Sequence, residues 1–326
     1  MSDKLEILKM IESGKITVDE GLQMIEALEQ TERIQEDSRE EIYESTQEKA
    51  KIIEKEIYPS SNEKLYTFDV SLTTCKLNVE RSNVEDITIE LLDDKTREFI
   101  TKPEWLYLDE TNNVVTIKEK RVTNLTDIFD FFKIGNTMSN AIFINVKLPR
   151  NCSIDKGKFN NVSGSVSLIG LKGIDIEAKS ISGKVYVADL VARVAVLKST
   201  SGSVIADNIR AARGYLDTVS GKLKFGGDVA ELELKTVSGS VEALCKEMLD
   251  NILAKTVSGK VSISVKEPEK FNLQLASVSG GIETNGFAIV DKATSGKKSV
   301  YVNNRSQSKS IIASTVSGKI IIDKLQ

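Results

Sequence analysis

The chain has 326 residues, 40% of them hydrophobic and 28% charged, with a net charge of -4 and no histidine. Such a length holds a sizeable core plus an appendage, and the acidic balance speaks against nucleic acid, which calls for a clustered basic face. Without imidazole, Ser-His-Asp and Cys-His nucleophile systems and His-ligated metals are excluded in their usual forms.

Neither a basic leader nor an apolar signal core opens the sequence, and no apolar run is long enough to span a membrane. A cytoplasmic protein without a membrane span is expected. Cys75, Cys152 and Cys245 are isolated and odd in number. They suggest neither a disulfide framework nor a zinc site and read as small buried hydrophobes.

Residues 1–30 are predicted to be a helical hairpin. Leu5, Leu8 and Ile11, then Leu22, Ile25 and Leu28, recur at three-residue spacing with Glu and Lys on the other faces. Gly14 breaks the pattern, and Thr17 with Glu20 makes a capping start for the second helix. Helices this short are marginal alone. The six apolar residues are therefore candidate contacts for a protein partner, an envelope component or a second copy.

Residues 31–62 read as a charged, partly helical linker. Ile34, Ile42, Ile52, Ile53 and Ile57 are too sparse for sustained heptads. A solvated linker is expected, with a short oligomerising coil as the alternative.

Over 63–150 the apolar period becomes two: Tyr66, Phe68, Val70 and Leu72; Leu77 and Val79; Ile87, Ile89 and Leu91; Val115 and Ile117; then Ile142, Ile144, Val146 and Leu148. This is a predicted β-rich capping region. Within 121–140, Phe129, Phe131 and Phe132 cluster. They suit a lid over the open end of the β region, or a patch facing a partner or lipid.

The segment 151–326 repeats itself. "TVSGSV" at 236–241 returns as "TVSGKV" at 256–261, and Ser-Gly recurs with Gly164, Gly183, Gly202, Gly221, Gly239, Gly259, Gly280 and Gly318. The gaps are 19, 19, 19, 18, 20, 21 and 38, the last holding a degenerate "TSGKKSV" at 294–300. A fixed period near nineteen with two alternating strand patterns per repeat predicts a mainly β protein, a parallel β-solenoid of about nine coils. Each glycine marks a corner, where positive φ and close backbone approach are available to it.

Asn161, Ser180, Ser199, Thr218, Thr236, Thr256, Ser277 and Thr315 precede these corners as a column able to hydrogen-bond between coils. After the glycine, Ser165, Lys184, Ser203, Lys222, Ser240 and Lys260 alternate. Alternation doubles the spacing of like charges; a ligand-binding lysine ladder is the other reading.

Chemical motifs are wanting. The "SGK" tripeptides lack the rest of a phosphate loop. Asp175, Glu177, Asp207, Asp217, Glu231, Glu233 and Glu242 could pair for glycoside hydrolysis, but Asp175/Glu177 and Glu231/Glu233 are the alternations of a solvated strand face. Gly226-Gly227-Asp228 reads as a turn, not a calcium nonapeptide. No cofactor, metal or catalytic residue is assigned, and no enzyme is expected.

The "VSGxV" repeats, preceded by "INVKLPRN" at 144–151, resemble a bacterial adhesin-like family of unknown function, the toastrack-like β-solenoids. "KLEILKMIESGKITVDEGLQMIEALE" at 4–29 is similar to the short helical domain that precedes this solenoid in YvlB/LiaX-like proteins of Gram-positive bacteria. The resemblance implies a link to cell-envelope stress and a contact role for the helical front piece, and it brings no catalytic residues. A non-enzymatic binding or scaffold protein is the reading, with a carbohydrate-active or carbohydrate-binding solenoid as the alternative. Facing carboxylates on one face would favour the alternative. The terminal "KIIIDKLQ" raises a further expectation, self-association through an unpaired last coil.

Overall fold

The structure is a computed structural model and describes residues 48–53, 55–57, 64–119, 142–247, 249–285, 291–295, 298–303 and 309–325. Within it the period-two segments form strands. β1 (Lys64–Leu72) and β2 (Lys76–Arg81) make the first coil; β3 (Thr88–Asp93), β4 (Leu106–Thr111), β5 (Val114–Glu119) and β6 (Ile142–Leu148) follow. The repeats supply β7 (Cys152–Asn161), β8 (Val166–Ile169), β9 (Lys172–Ser180), β10 (Val185–Ala188), β11 (Val191–Ser199) and the long β12 (Val204–Thr218) and β13 (Leu223–Thr236). Then come β14 (Val241–Cys245), β15 (Asn251–Ser258), β16 (Val261–Val265), β17 (Phe271–Ser277), β18 (Ile282–Asn285), β19 (Asp291–Ser295), β20 (Lys298–Asn303), β21 (Lys309–Ser317) and β22 (Ile320–Lys324).

Pairing builds two parallel tracks. One runs β6–β2–β8–β10–β12–β13–β14–β16–β22–β18. The other runs β5–β1–β7–β9–β11–β12–β13–β15–β21–β17. Strands β12 and β13 belong to both, because each bends from one track into the other. The tracks make a β-solenoid with ten coil levels among the described residues, about 4.8 Å apart.

Register is held by aliphatic ladders. On the first track Leu77, Val166, Val185, Val204, Leu223, Val241, Val261 and Ile320 lie over one another, none more than 1% exposed. Opposite them Phe159, Ala178, Leu197, Leu216, Leu234, Ala254, Ala313 and Leu275 are stacked and buried. A slip of one residue would turn each ladder outward, forfeiting about 1.5–3 kcal/mol per large side chain.

The structure changes three expectations. First, 63–150 is more than a cap. It contributes two coil levels, and among the described residues β3 and β4 close the end, antiparallel on β6 and β5. The segment 294–300 adds no coil: β19 and β20 pair antiparallel, and β20 pairs antiparallel with β17.

Second, the last coil is not an edge. β22 lies between β16 and β18, and β21 between β15 and β17. At the other end β1 and β2 are likewise enclosed, between β5–β6 and β7–β8. Both ends thus tuck a terminal coil inside: β3 and β4 lie antiparallel beyond β6 and β5, and β20 antiparallel beyond β17, while β18 runs parallel beyond β22.

Third, part of the charged segment before β1 is anchored. Residues 48–53 and 55–57 are helical, and Ile53 and Ile57 are fully buried against Ala212, with Ala50 and Val191 packed alongside. Glu56 pairs with Arg210 at 3.0 Å, Lys49 with Asp250 at 2.5 Å, and Ser153 Oγ donates to Ile57 O at 3.1 Å. Three apolar residues at helical spacing suffice to bind one face to an existing wall, although they are too few for a coiled coil.

Candidate functional site

The repeated hexapeptide forms one corner, from the second track into the first, at eight of the ten coil levels. Its small polar residue points inward and ties two coils together. Ser180 Oγ donates to Gly164 O at 3.1 Å and accepts Gly183 N–H at 2.9 Å. One level on, Ser199 Oγ donates to Gly183 O at 3.0 Å and accepts Gly202 N–H at 3.0 Å. Thr218, Thr256, Thr315 and Ser277 continue the series on Gly202, Gly239, Gly259 and Gly318. All are buried, so each link satisfies polar groups that would otherwise be costly.

At the first repeat Asn161 does the same with its amide. Nδ2 donates to Cys75 O at 2.7 Å and Oδ1 accepts Gly164 N–H at 2.9 Å.

Glycine is required by contact, not by φ. None of the eight corner glycines has a positive φ, contrary to the sequence expectation. A Cβ at Gly202 would instead lie 2.1 Å from Gly183 O, and one at Gly183 2.0 Å from Gly164 O. The file continues as Gly259, Gly318, Gly280, the spatial order set by the tucked last coil.

Outside this spine the corner carries a stripe. Val162, Ile181, Val219 and Val237 are 39–51% exposed, with Thr200 in line between them. Beside it runs a file of exposed serines, including Ser163, Ser182, Ser201, Ser220, Ser238 and Ser258. The lysines alternate along the next file. Lys184 Nζ sits 5.1 Å from the centre of the Tyr186 ring, and Lys222 pairs with Glu242 at 2.6 Å. That hydrogen bond holds the Glu242 carboxyl below the ordinary glutamate range, with burial opposing it. Lys319 lies on the level next to Lys260, so the alternation ends there, and Lys319 pairs with Glu283 at 2.5 Å.

The acidic residues of the second track make ion pairs along a solvated face: Asp175 with Arg193 at 3.0 Å, Glu231 with Arg213 at 3.1 Å, Asp217 with Lys198 at 3.9 Å, and Glu177 and Glu233 with Lys179 and Lys235. Among the described residues, no group of three or more Cys, Asp or Glu is arranged to hold a metal. The three cysteines are buried and form no disulfide; burial is the main force raising the thiol pKa of Cys75 and of Cys245.

The second corner carries a signal outside the Ser-Gly repeat. Gly170, Asp189 and Asn208 stand nineteen residues apart and adopt φ of 68°, 52° and 51°. Gly, Asp and Asn tolerate the left-handed region best, so their spacing was a readable signal. Asn208 Nδ2 donates to Asp189 Oδ1 at 2.6 Å. Gly226-Gly227-Asp228 is a bend inside continuous β13 where a turn was expected. A Cβ on Gly227 would lie 2.1 Å from Ile209 O. Leu5, Leu8, Ile11, Leu22, Ile25, Leu28, Phe129, Phe131 and Phe132 lie outside the described residues.

The chain belongs to the Toastrack DUF4097 family, whose model matches residues 67–323. Residues 2–33 match the model of a SHOCT-like domain. Among solved structures, a candidate cell adhesion protein from Clostridium sporogenes is similar at 12% identity, over 80% of this chain and 94% of its own, with a TM-score of 0.23. A candidate adhesin from Bacteroides fragilis is similar at 12% identity over the same shares, with a TM-score of 0.34. No curated protein matches the chain. Among the described residues no helix is long and apolar enough to cross a membrane.

Proposed function

We propose that the protein is a non-enzymatic binding scaffold that serves the bacterial cell envelope under stress. The observation that carries this reading is the corner: a hydrogen-bonded spine that holds an exposed stripe of Val162, Ile181, Val219 and Val237 straight. Exposed apolar surface aligned over several levels marks contact sites in soluble proteins, and a solenoid leaves its long faces free because stability comes from neighbouring coils. Pairing of the acidic residues with Lys and Arg, instead of with one another across a groove, supports binding over hydrolysis. In this reading Leu5, Leu8, Ile11, Leu22, Ile25 and Leu28 form the protein-contacting front piece, and Phe129, Phe131 and Phe132 a further contact.

The test is fractionation of native cells with and without envelope stress, comparing the full chain with an Ile181→Asp/Val219→Asp/Val237→Asp variant. The wild-type chain is expected to move to the envelope fraction on stress while the variant, equally stable, stays behind. Wild-type protein that remains cytosolic under stress overturns the reading.

A further inference from the structure

The winding of the rod breaks once in the repeat region, and a cavity sits at the break. Regular levels cross the second corner with two residues, such as Asp189 and Leu190, or with none, as in β12 and β13. Two levels use five: Lys246–Asp250 between β14 and β15, and Lys266–Lys270 between β16 and β17. The second of these must skip a level, because β21 and β22 occupy the one between. Both connections begin with the same Lys-Glu dipeptide, and Lys266 of one pairs with Glu247 of the other.

Together they wall a cavity of about 250 Å³ whose lining includes Lys246, Lys266, Lys270 and Lys309. Among the described residues its carboxylates are Glu247 and Glu267, and Phe271 is part of the wall. Glu267 pairs with Lys270 at 2.7 Å. Hydrogen bonds from the lysines hold both carboxyls below the ordinary range, so both are ionised at neutral pH. Lys309 Nζ is fixed by Leu249 O at 2.9 Å, 3.5 Å from Asp250 and 5.7 Å from the Phe271 ring centre. Among the described residues Lys246 forms no ion pair. Among the described residues the lining therefore has two more ammonium groups than carboxylates, in a chain whose net charge is -4.

We propose that this cavity binds a compact phosphate-class anion, with Lys246, Lys270 and Lys309 as its contacts. The volume suits this. It lies just below the roughly 300–1,000 Å³ of sites for drug-sized ligands and has room for one or two phosphoryl groups. A dianion would satisfy several ammonium groups through charge-assisted hydrogen bonds. The stripe at the other corner is separate, so either proposal can fail alone.

The experiment is calorimetric titration of the full chain with inorganic pyrophosphate at low salt, alongside sedimentation with phosphatidic acid vesicles to distinguish a free phosphate from a lipid headgroup. Saturable one-to-one binding is expected in at least one arm, weakened about tenfold or more by Lys246→Gln and by Lys270→Gln. Lys184→Gln and Lys222→Gln on the other corner should leave it within about twofold. Unfolding midpoints of all four variants check that they fold. Absence of saturable binding in both arms overturns the proposal, as does equal weakening by corner and cavity lysines, which would reveal diffuse attraction.

Discussion

The two corners of each coil solve the same geometric problem in opposite ways. At the Ser-Gly corner every level repeats one solution. The carbonyl of one glycine lies where the next glycine's Cβ would be, and a buried hydroxyl bridges the two. At the second corner Gly170, Asp189 and Asn208 differ in side chain but share a left-handed backbone, and further along five-residue connections replace them. The difference lies in what touches what. A corner packed backbone to backbone admits one residue, whereas a corner held only by its own φ admits several, together with the insertions that build a cavity.

That comparison can be broken most directly by adding one methyl group. Gly202→Ala forces a Cβ to within 2.1 Å of Gly183 O and is expected to cost about 4 kcal/mol or more, read from urea unfolding. Gly170→Ala, whose nearest neighbour would be Arg81 Cβ at 3.4 Å, should cost only the left-handed strain of about 1–2 kcal/mol. Equal losses would erase the distinction between contact and conformation.

Next in size is the spine itself. Ser199→Ala leaves the buried Gly183 O and the part-buried Gly202 N–H without their bridge and should destabilise by about 2 kcal/mol. Ser201→Ala, on the exposed file of the same turn, should fall within about 0.5 kcal/mol of wild type. A similar cost at both positions would show that the inward hydroxyl is not what joins the coils.

The smallest effect concerns the lysine file. The Glu242 carboxyl is depressed by Lys222, so its contribution is present at neutral pH and is lost as pH falls through its folded-state pKa, below the ordinary glutamate range. Glu242→Gln should flatten that acid limb by at most about 1 kcal/mol, since the pair is nearly half exposed. An unchanged limb in stability-versus-pH curves would make Lys222 a spectator.

The solenoid was legible because a ladder demands the same residue at each level. Gly164 through Gly259, their hydroxyl partners and the aliphatic rows recur at close to nineteen residues for that reason. Ile53 and Ile57 were harder to place, since their partner Ala212 lies far along the chain and a short amphipathic helix shows only that one face is apolar. The second corner was half legible: Gly170, Asp189 and Asn208 share conformation and spacing without sharing a side chain. The cavity left only a hint, gaps of 20 and 21 where 19 is the rule.

By itself the sequence determined the coil, its period, its inward ladders and its glycine corner, because each depends on residues one repeat apart that must match. Only the tertiary structure decided the stacking order of the ends. Gly318 lies between Gly259 and Gly280, and β1–β2 lies beneath β5–β6. Coils with interchangeable ladders fit next to any neighbour, so local pattern does not rank them. From that order comes the skipped level, beside which Lys246, Lys266, Lys270 and Lys309 line one cavity.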